Sequence, residues 1–84
     1  MAPPIDPDSP SPLHRQLADL LRADIATGRL TGKLPSEAQL RRSHEVELSR
    51  DTVRRALLIL RDEDLIESTQ GRGWFVKRRP QQAL

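Results

Sequence analysis

Apolar residues recur at helical spacing in two separate parts of the chain. In the first part, the apolar residues that share one helix face are Leu13, Leu17, Leu20, Leu21 and Ile25. In the second part they are Val53, Ala56, Leu57 and Leu60. Both sets repeat every three or four residues, as in an amphipathic helix. The pattern predicts helices over residues 12–27 and 49–62.

Residues with capping chemistry stand at the ends of these two helices. Ser11 followed by Pro12 fits an N-cap with proline at the first helical position. Gly28 fits the left-handed residue that follows a last turn. Ser49 is a good N-cap for the second helix, because its hydroxyl can accept a hydrogen bond from a free backbone N–H.

A shorter helix is predicted between these two. Ser36 with Gln39 three residues later is a capping-box pattern, so we expect a helix over residues 36–44 with Leu40 facing inward. The residues before it leave room only for a brief extended stretch around Lys33.

Two short β-strands are predicted over residues 65–69 and 74–77. The loop QGRG (residues 70–73) separates them, with two glycines free to adopt positive φ and Arg72 at its tip. The predicted fold class is therefore α+β, with three helices followed by a two-stranded β-hairpin wing. That element order is the layout of a winged helix-turn-helix.

Composition sets the expected limits of this domain. Residues 1–12 contain five prolines, and Ile5 is their only large aliphatic side chain, so this segment has little to bury. We expect a disordered proline-rich arm over 1–11, the winged helix-turn-helix domain over 12–78, and a flexible tail over 79–84.

Positive charge is concentrated in the second half of the chain. Residues 1–40 hold four Lys/Arg and five Asp/Glu, whereas residues 41–84 hold ten and seven, for a net charge of +2. Twelve of the fourteen cations are arginine, which is suited to bidentate contacts with phosphate and guanine. A solvated charged surface explains the charge equally well.

Several classes of protein are disfavoured by what the sequence lacks. There is no cysteine, so disulfides and thiolate chemistry are excluded. No apolar run approaches the roughly 20 residues of a membrane span, and no signal-peptide pattern is present. We expect a cytoplasmic protein without a membrane partner. With no nucleophile–base pair, metal cluster or phosphate-cradling loop, we expect neither an enzyme nor a cofactor or metal.

Four sequence blocks resemble the DNA-binding domain of the GntR family. They are IATGRL (25–30), LPSEAQL (34–40), SRDTVRRAL (49–57) and QGRGWFV (70–76). They stand in the family's order and together cover roughly residues 12–78. The resemblance implies a bacterial transcription regulator that binds double-stranded DNA, usually as a dimer on a palindromic operator.

The resemblance also implies which residues contact DNA. The matching positions of the recognition helix and of the wing tip are Ser49, Arg50, Thr52, Arg54, Gly71 and Arg72. Ser36 matches the start of the second helix, whose N–H groups can face a phosphate. Arg41 and Arg42 are further candidates one turn later.

Each arginine has a specific expected role and a simpler alternative. We expect Arg54 to read a base, the alternative being an ion pair with Asp51 or Asp62. Arg50 and Thr52 are expected to clamp phosphates, or else only to solvate the helix start.

The remaining two candidate arginines are Arg72 and Arg55. Arg72 is expected in a narrow minor groove, the alternative being a solubilising charge on a loop. Arg55 turns away from the side of Arg54, and its role stays undecided.

The sequence departs from the family pattern at three places. Ala38 stands where the family usually has an arginine. The connection from Leu40 to Ser49 is about two residues longer than usual, with Glu45 in place of a glycine. Asp64 replaces the glycine that usually follows the third helix, which is tolerable because aspartate visits the left-handed region more readily than most residues.

Two further groups of residues receive structural interpretations. Trp74 and Phe75 alternate along a strand, so one should pack inward and the other should be partly exposed.

The acidic run from Asp62 to Asp64 opposes the helix dipole at the end of the third helix. We assign these acids no role beyond solvation and keeping DNA off that side.

The sequence thus predicts a sequence-specific DNA-binding repressor. Either the chain is a minimal regulator or it is the N-terminal domain of a longer one. As no second domain follows the hairpin, we expect no small-molecule effector and a weak or DNA-dependent homodimer. The alternative is a winged-helix protein–protein module or an accessory factor of a mobile element, which would dock through Leu58 and Ile59.

Overall fold

A computed structural model of the chain describes residues 5–42 and 47–77. It contains three helices, α1 (Leu13–Ala26), α2 (Glu37–Arg42) and α3 (Arg50–Asp62). Two strands follow, β1 (Ile66–Thr69) and β2 (Gly73–Val76). The predicted order of elements is confirmed. The expected end of the second helix at residue 44 and the tail over 79–84 lie outside the described residues.

The start of α1 differs from the expected cap. Pro12 is itself the N-cap, and its carbonyl accepts hydrogen bonds from the backbone N–H groups of Arg15 and Gln16, both at 3.1 Å. The prediction of Ser11 as N-cap is wrong, since no side chain caps this helix. The far end of α1 follows the prediction, with Gly28 at a φ of 81°.

The segment before α1 packs against the domain from Ile5 onward, where the sequence predicted a disordered arm over residues 1–11. Ile5 is 1% exposed and belongs to the core. The Gln16 side chain holds the segment by accepting from the Asp6 N–H at 2.7 Å and donating to the Asp6 and Ser11 carbonyls at 2.9 and 2.8 Å. One buried isoleucine and three hydrogen bonds of one glutamine therefore connect this segment to the domain.

The core is aliphatic and lies between α1, α2, α3 and the base of the hairpin. All four residues of the predicted α3 stripe are fully buried. The other buried hydrophobic residues are Ile5, Leu17, Ala18, Leu21, Leu34, Leu40, Leu48, Leu65 and Ile66. Because α3 packs its apolar stripe inward, the remaining faces of the helix are left for its charged residues.

The hairpin is antiparallel, with Ile66 paired to Val76 and Thr69 to Gly73. The predicted extended stretch forms an isolated antiparallel bridge from Lys33 to Phe75 beside β2. Trp74 packs against the core, whereas Phe75 is half-buried on the other face. The hairpin therefore contacts α3 through β1, while β2 pairs with the extended stretch around Lys33.

Candidate nucleic-acid interface

The start of α3 is held by a local hydrogen-bond pair. The Ser49 hydroxyl oxygen accepts from the Thr52 N–H at 3.1 Å and donates to the Thr52 hydroxyl at 2.9 Å. Ser49 is thus confirmed as the N-cap, with an extended backbone at φ −75° and ψ 162°. These two side chains fix the first turn of the helix.

Arg50 and Arg54 lie one turn apart on α3, beside its buried stripe. Both are exposed, and neither has a hydrogen-bond or ion-pair partner in the described parts of the chain. The predicted alternative partners of Arg54 are engaged elsewhere: Asp51 pairs with Arg55 at 2.7 Å and Asp62 with Arg61 at 3.3 Å. Two free guanidinium groups therefore stand at the N-terminal half of α3.

Arg55 differs from these two arginines because it forms the i, i+4 ion pair with Asp51. Both side chains are well exposed, at 61% and 70%, so the pair is weak. The pair nevertheless occupies the guanidinium group of Arg55. Of the two adjacent arginines, Arg54 is the one left without a partner.

The start of α2 forms the predicted capping box. The Ser36 N–H donates to the Gln39 side-chain oxygen at 2.8 Å, and the Gln39 N–H donates to the Ser36 hydroxyl oxygen at 3.1 Å. Ala38 is exposed in the first turn. The cap uses the Ser36 N–H and leaves the Ser36 hydroxyl free to donate.

The two arginines at the end of α2 have different surroundings. The Nε–H of Arg41 donates to the Leu48 carbonyl at 2.9 Å, and the Leu48 N–H donates to the Arg41 carbonyl at 3.0 Å. Arg42 is exposed and has no partner within residues 5–42 and 47–77. Arg42 lies four residues after Ala38 and so on the same face of α2.

The wing turn has the predicted glycine geometry. Gly71 and Gly73 adopt φ values of 77° and 97°, and the Arg72 N–H donates to the Thr69 carbonyl at 2.9 Å. The Arg72 side chain is exposed at the tip and unpaired among the residues that the structure describes. The turn therefore presents one free guanidinium group.

Lys33 is a cation beside the wing that sequence reasoning did not select. Its Cε lies 3.8 Å from the position that a Cβ on Gly73 would occupy. The Lys33 side chain therefore passes within van der Waals reach of residue 73, next to the turn. The extended stretch around Lys33 was predicted and could have served as a signal. Its pairing with β2, which brings Lys33 to the wing, was not predicted.

Glu63 and Asp64 of the acidic run form ion pairs with distant parts of the fold, which corrects the expectation that the run is only solvated. Glu63 receives two hydrogen bonds from Arg22 of α1, at 2.7 and 2.6 Å. Asp64 pairs with Lys77 at the end of the wing. Asp64 adopts a φ of 65°, so its predicted left-handed conformation is confirmed.

These ion pairs shift the pKa of three groups. The hydrogen bonds from Arg22 hold the pKa of the Glu63 carboxyl below its usual range. The hydrogen bond to Glu63, followed in size by the one to Asp19, raises the pKa of Arg22. The hydrogen bond to Asp64 raises the pKa of Lys77. The shifts favour the charged forms of Glu63, Arg22 and Lys77.

The structure does not support an apolar docking patch on α3. Ile59 packs against the core, which leaves Leu58 as the other residue of the proposed pair. One half-buried leucine does not make a contiguous apolar surface. Within residues 5–42 and 47–77, no group of three metal-ligating side chains occurs and no helix is long and apolar enough to cross a membrane.

Two relatives with known regulatory roles are similar in sequence. The mannosyl-D-glycerate transport/metabolism system repressor MngR of Escherichia coli is 46% identical over 68 residues, which are 79% of this chain and 28% of that protein. The transcriptional repressor NagR of Bacillus subtilis is 36% identical over 81 residues, 95% of this chain and 33% of that protein. The chain spans about a third or less of these relatives.

Solved structures of the same fold include a transcription factor and a DNA-binding domain bound to its operator. YtrA from Sulfolobus acidocaldarius, a GntR-family transcription factor, matches with a TM-score of 0.78 and 33% identity, covering 94% of this chain and 83% of that one. AraR(DBD) in complex with operator ORX1 matches with a TM-score of 0.73 and 30% identity, covering 86% and 89%.

The family profile described as "Bacterial regulatory proteins, gntR family" matches residues 13–76. That range contains α1, α2, α3 and both strands. The predicted resemblance and the winged helix-turn-helix fold are both confirmed. The chain belongs to the GntR family of bacterial regulatory proteins.

Proposed function

We propose that this chain binds double-stranded DNA sequence-specifically and represses transcription. The observation that carries the proposal is the capped N-terminal half of α3, where Arg50 and Arg54 are exposed and unpaired in the described residues. A helix with free arginines near its N-terminus fits the major groove, where arginine reads guanine with two hydrogen bonds. The relatives that are named as repressors support repression rather than activation of transcription.

The residues of α3 divide between reading bases and holding phosphates. Arg54 is the proposed base contact, since its guanidinium group has no competing partner within residues 5–42 and 47–77. Arg50, with the hydroxyl groups of Ser49 and Thr52, is proposed to contact phosphates, which fixes the register of the helix. Arg55 is proposed as a secondary contact, because its ion pair with Asp51 must break before it can bind DNA.

The wing supplies a second contact region. Arg72 is proposed to enter the minor groove or to bind its phosphates, and Gly71 lets the backbone approach closely. Lys33 lies alongside and adds a positive charge to the same region. A cation on each side of Gly73 gives the wing more charge than its hairpin alone provides.

The start of α2 is proposed as a phosphate contact through the Ser36 hydroxyl and the N–H groups of the first turn. Arg42 is proposed to supply the charge that Ala38 lacks, because both residues lie on one face of α2. These contacts position the domain and carry no sequence information.

A weak or DNA-dependent homodimer on a palindromic operator is proposed for assembly. Two copies of α3 would then read half-sites one helical turn apart. Sedimentation without DNA should show mainly monomer, and addition of a duplex with two half-sites should shift the mass to two chains per duplex. A tight dimer without DNA would contradict the proposal.

Selection of bound duplexes from random DNA tests the proposed function. Enrichment of one sequence with two-fold symmetry is the expected result, and it identifies the operator at the same time. An Arg50→Ala, Arg54→Ala double variant is the matched control and should enrich nothing. If the unaltered chain enriches no sequence, it is not a sequence-specific DNA-binding protein.

A further inference from the structure

Arg41 and Arg42 are adjacent, carry the same charge and have different partners. Arg41 exchanges two hydrogen bonds with Leu48, one through its side chain and one through its backbone carbonyl. Arg42 is exposed without a partner in the part of the chain that the structure describes. Charge alone does not separate these two residues, but their contacts do.

The Arg41–Leu48 pair joins the end of α2 to the start of α3. The Arg41 carbonyl lies in the last turn of α2, where carbonyls lack a partner within the helix, and the Leu48 N–H satisfies it at 3.0 Å. Leu48 is 1% exposed and directly precedes Ser49, the N-cap of α3. A buried leucine with both backbone groups bonded to Arg41 leaves Ser49 little freedom to move relative to α2.

We infer that Arg41 is a positioning residue that sets the angle at which α3 leaves α2, whereas Arg42 provides the phosphate contact from this helix. The inference rests on the proposed function, because that angle determines how Arg50 and Arg54 meet the groove. Arg41 acts on DNA only through Leu48 and Ser49.

Side-chain chemistry separates a positioning role from a phosphate contact. In glutamine the amide nitrogen is bonded to Cδ, as Nε is in arginine. Arg41→Gln therefore keeps a donor at the same distance from the backbone and removes the charge. Arg41→Lys keeps the charge, but places a methylene where the donor was. The two substitutions should have opposite effects in the two roles.

The decisive experiment measures DNA affinity against salt concentration for Gln and Lys variants at both positions, on one specific duplex. Arg41→Gln should keep affinity and salt slope, and Arg41→Lys should lose about tenfold in affinity, equivalent to one hydrogen bond. At residue 42 the pattern should reverse. Arg42→Lys should retain the salt slope, while Arg42→Gln should weaken binding and reduce the salt slope by about 0.9.

The possible outcomes separate the inference from the proposed function. If Arg41→Gln reduces the salt slope and Arg41→Lys does not, Arg41 contacts phosphate and the inference is wrong. If Arg42→Gln leaves the slope unchanged, the phosphate contact assigned to Arg42 is wrong. If the unaltered chain shows no salt-dependent, sequence-specific binding, the proposed function fails instead.

A measurement without DNA checks the positioning role directly. In the free protein, the Nε–H of Arg41 and the N–H of Leu48 should exchange slowly with solvent, whereas the Nε–H of Arg42 should exchange fast. Arg41→Gln should keep the Leu48 N–H protected, and Arg41→Lys should reduce its protection. Equal, fast exchange of both arginine Nε–H groups would overturn the inference even if DNA binds normally.

Discussion

Arg22 and Glu63 form a two-point contact between helices that are far apart in sequence. Arg22 Nε lies 2.7 Å from Glu63 Oε1 and Arg22 Nη2 lies 2.6 Å from Oε2, across 41 residues. Arg22 also donates to Asp19 one turn earlier, at 2.6 Å. The parallel geometry of a guanidinium and a carboxylate makes this a specific contact between α1 and the end of α3.

Replacing Glu63 by glutamine should lower the free energy of unfolding modestly. Because the two side chains are 37% and 38% exposed, solvent screens the pair, and we expect a loss of about 0.5–1 kcal/mol. Chemical denaturation at low salt measures the loss, which should shrink at high salt. Asp62→Asn is the matched control, since it removes one charge from the adjacent residue without breaking a contact between elements.

The same ion pair gives stability a defined pH dependence. The pKa of Glu63 lies below its usual value of 4.5 in the folded chain. The stabilisation is therefore complete above that value and is lost as pH falls through the folded pKa. The free-energy difference between the unaltered chain and Glu63→Gln should vanish in strong acid. A difference that grows as pH falls would contradict this account.

Substitutions of Ser49 should separate stability from DNA binding. Ser49→Ala removes the N-cap and should cost about 1 kcal/mol in the free energy of unfolding. Ser49→Asp keeps a capping acceptor and favours the helix dipole, so stability should be retained. Its negative charge should nevertheless weaken DNA binding. Equal DNA affinity of Ser49→Asp and the unaltered chain would place the start of α3 away from the phosphates.

Truncation of Ile5 tests whether the segment before α1 belongs to the domain. Removal of a fully buried isoleucine side chain leaves a cavity, so Ile5→Ala should lower the free energy of unfolding by about 2–4 kcal/mol. Pro10→Ala, at an exposed position of the same segment, is the control and should change little. Thermal unfolding of both variants measures the effect. If Ile5→Ala leaves the free energy of unfolding unchanged, the segment does not pack in the domain and the predicted disordered arm is supported.

Asp64 is expected to carry backbone strain that glycine would relieve. At a φ of 65°, an alanine should be about 1 kcal/mol less stable than a glycine. Asp64→Gly should therefore unfold at higher denaturant than Asp64→Ala, although both lose the pair with Lys77. Since both variants lack the ion pair, the difference in their free energies of unfolding reports the cost of the left-handed backbone conformation. Equal stability of the two variants would show that the left-handed conformation is not required.

Local patterns predicted the elements of this fold well. The α3 stripe, the capping box at Ser36 and the N-cap at Ser49 each depend on residues within one or two turns, so spacing alone identifies them. The left-handed conformation of Asp64 was expected from the family resemblance, because Asp64 stands where the family usually has a glycine.

Contacts between distant residues could not be predicted in this way. Nothing in the sequence indicates that Glu63 selects Arg22 among twelve arginines, or that Gln16 holds the Asp6 backbone. Arg41 and Arg42 are indistinguishable by residue type, and only the position of Leu48 separates them. The tertiary arrangement decides such pairings, so residue type and spacing predicted DNA contacts for both arginines and only solvation for the acidic run.

The central claim is that α3 reads DNA through Arg54 and grips it through Arg50. The most direct test is to measure binding of Arg50→Ala and Arg54→Ala to the selected operator and to a scrambled duplex over a range of salt. Arg54→Ala should lose preference for the operator, by about 1–3 kcal/mol. Arg50→Ala should weaken both duplexes alike, with a salt slope smaller by about 0.9. Unchanged preference and slope in both variants would contradict the account.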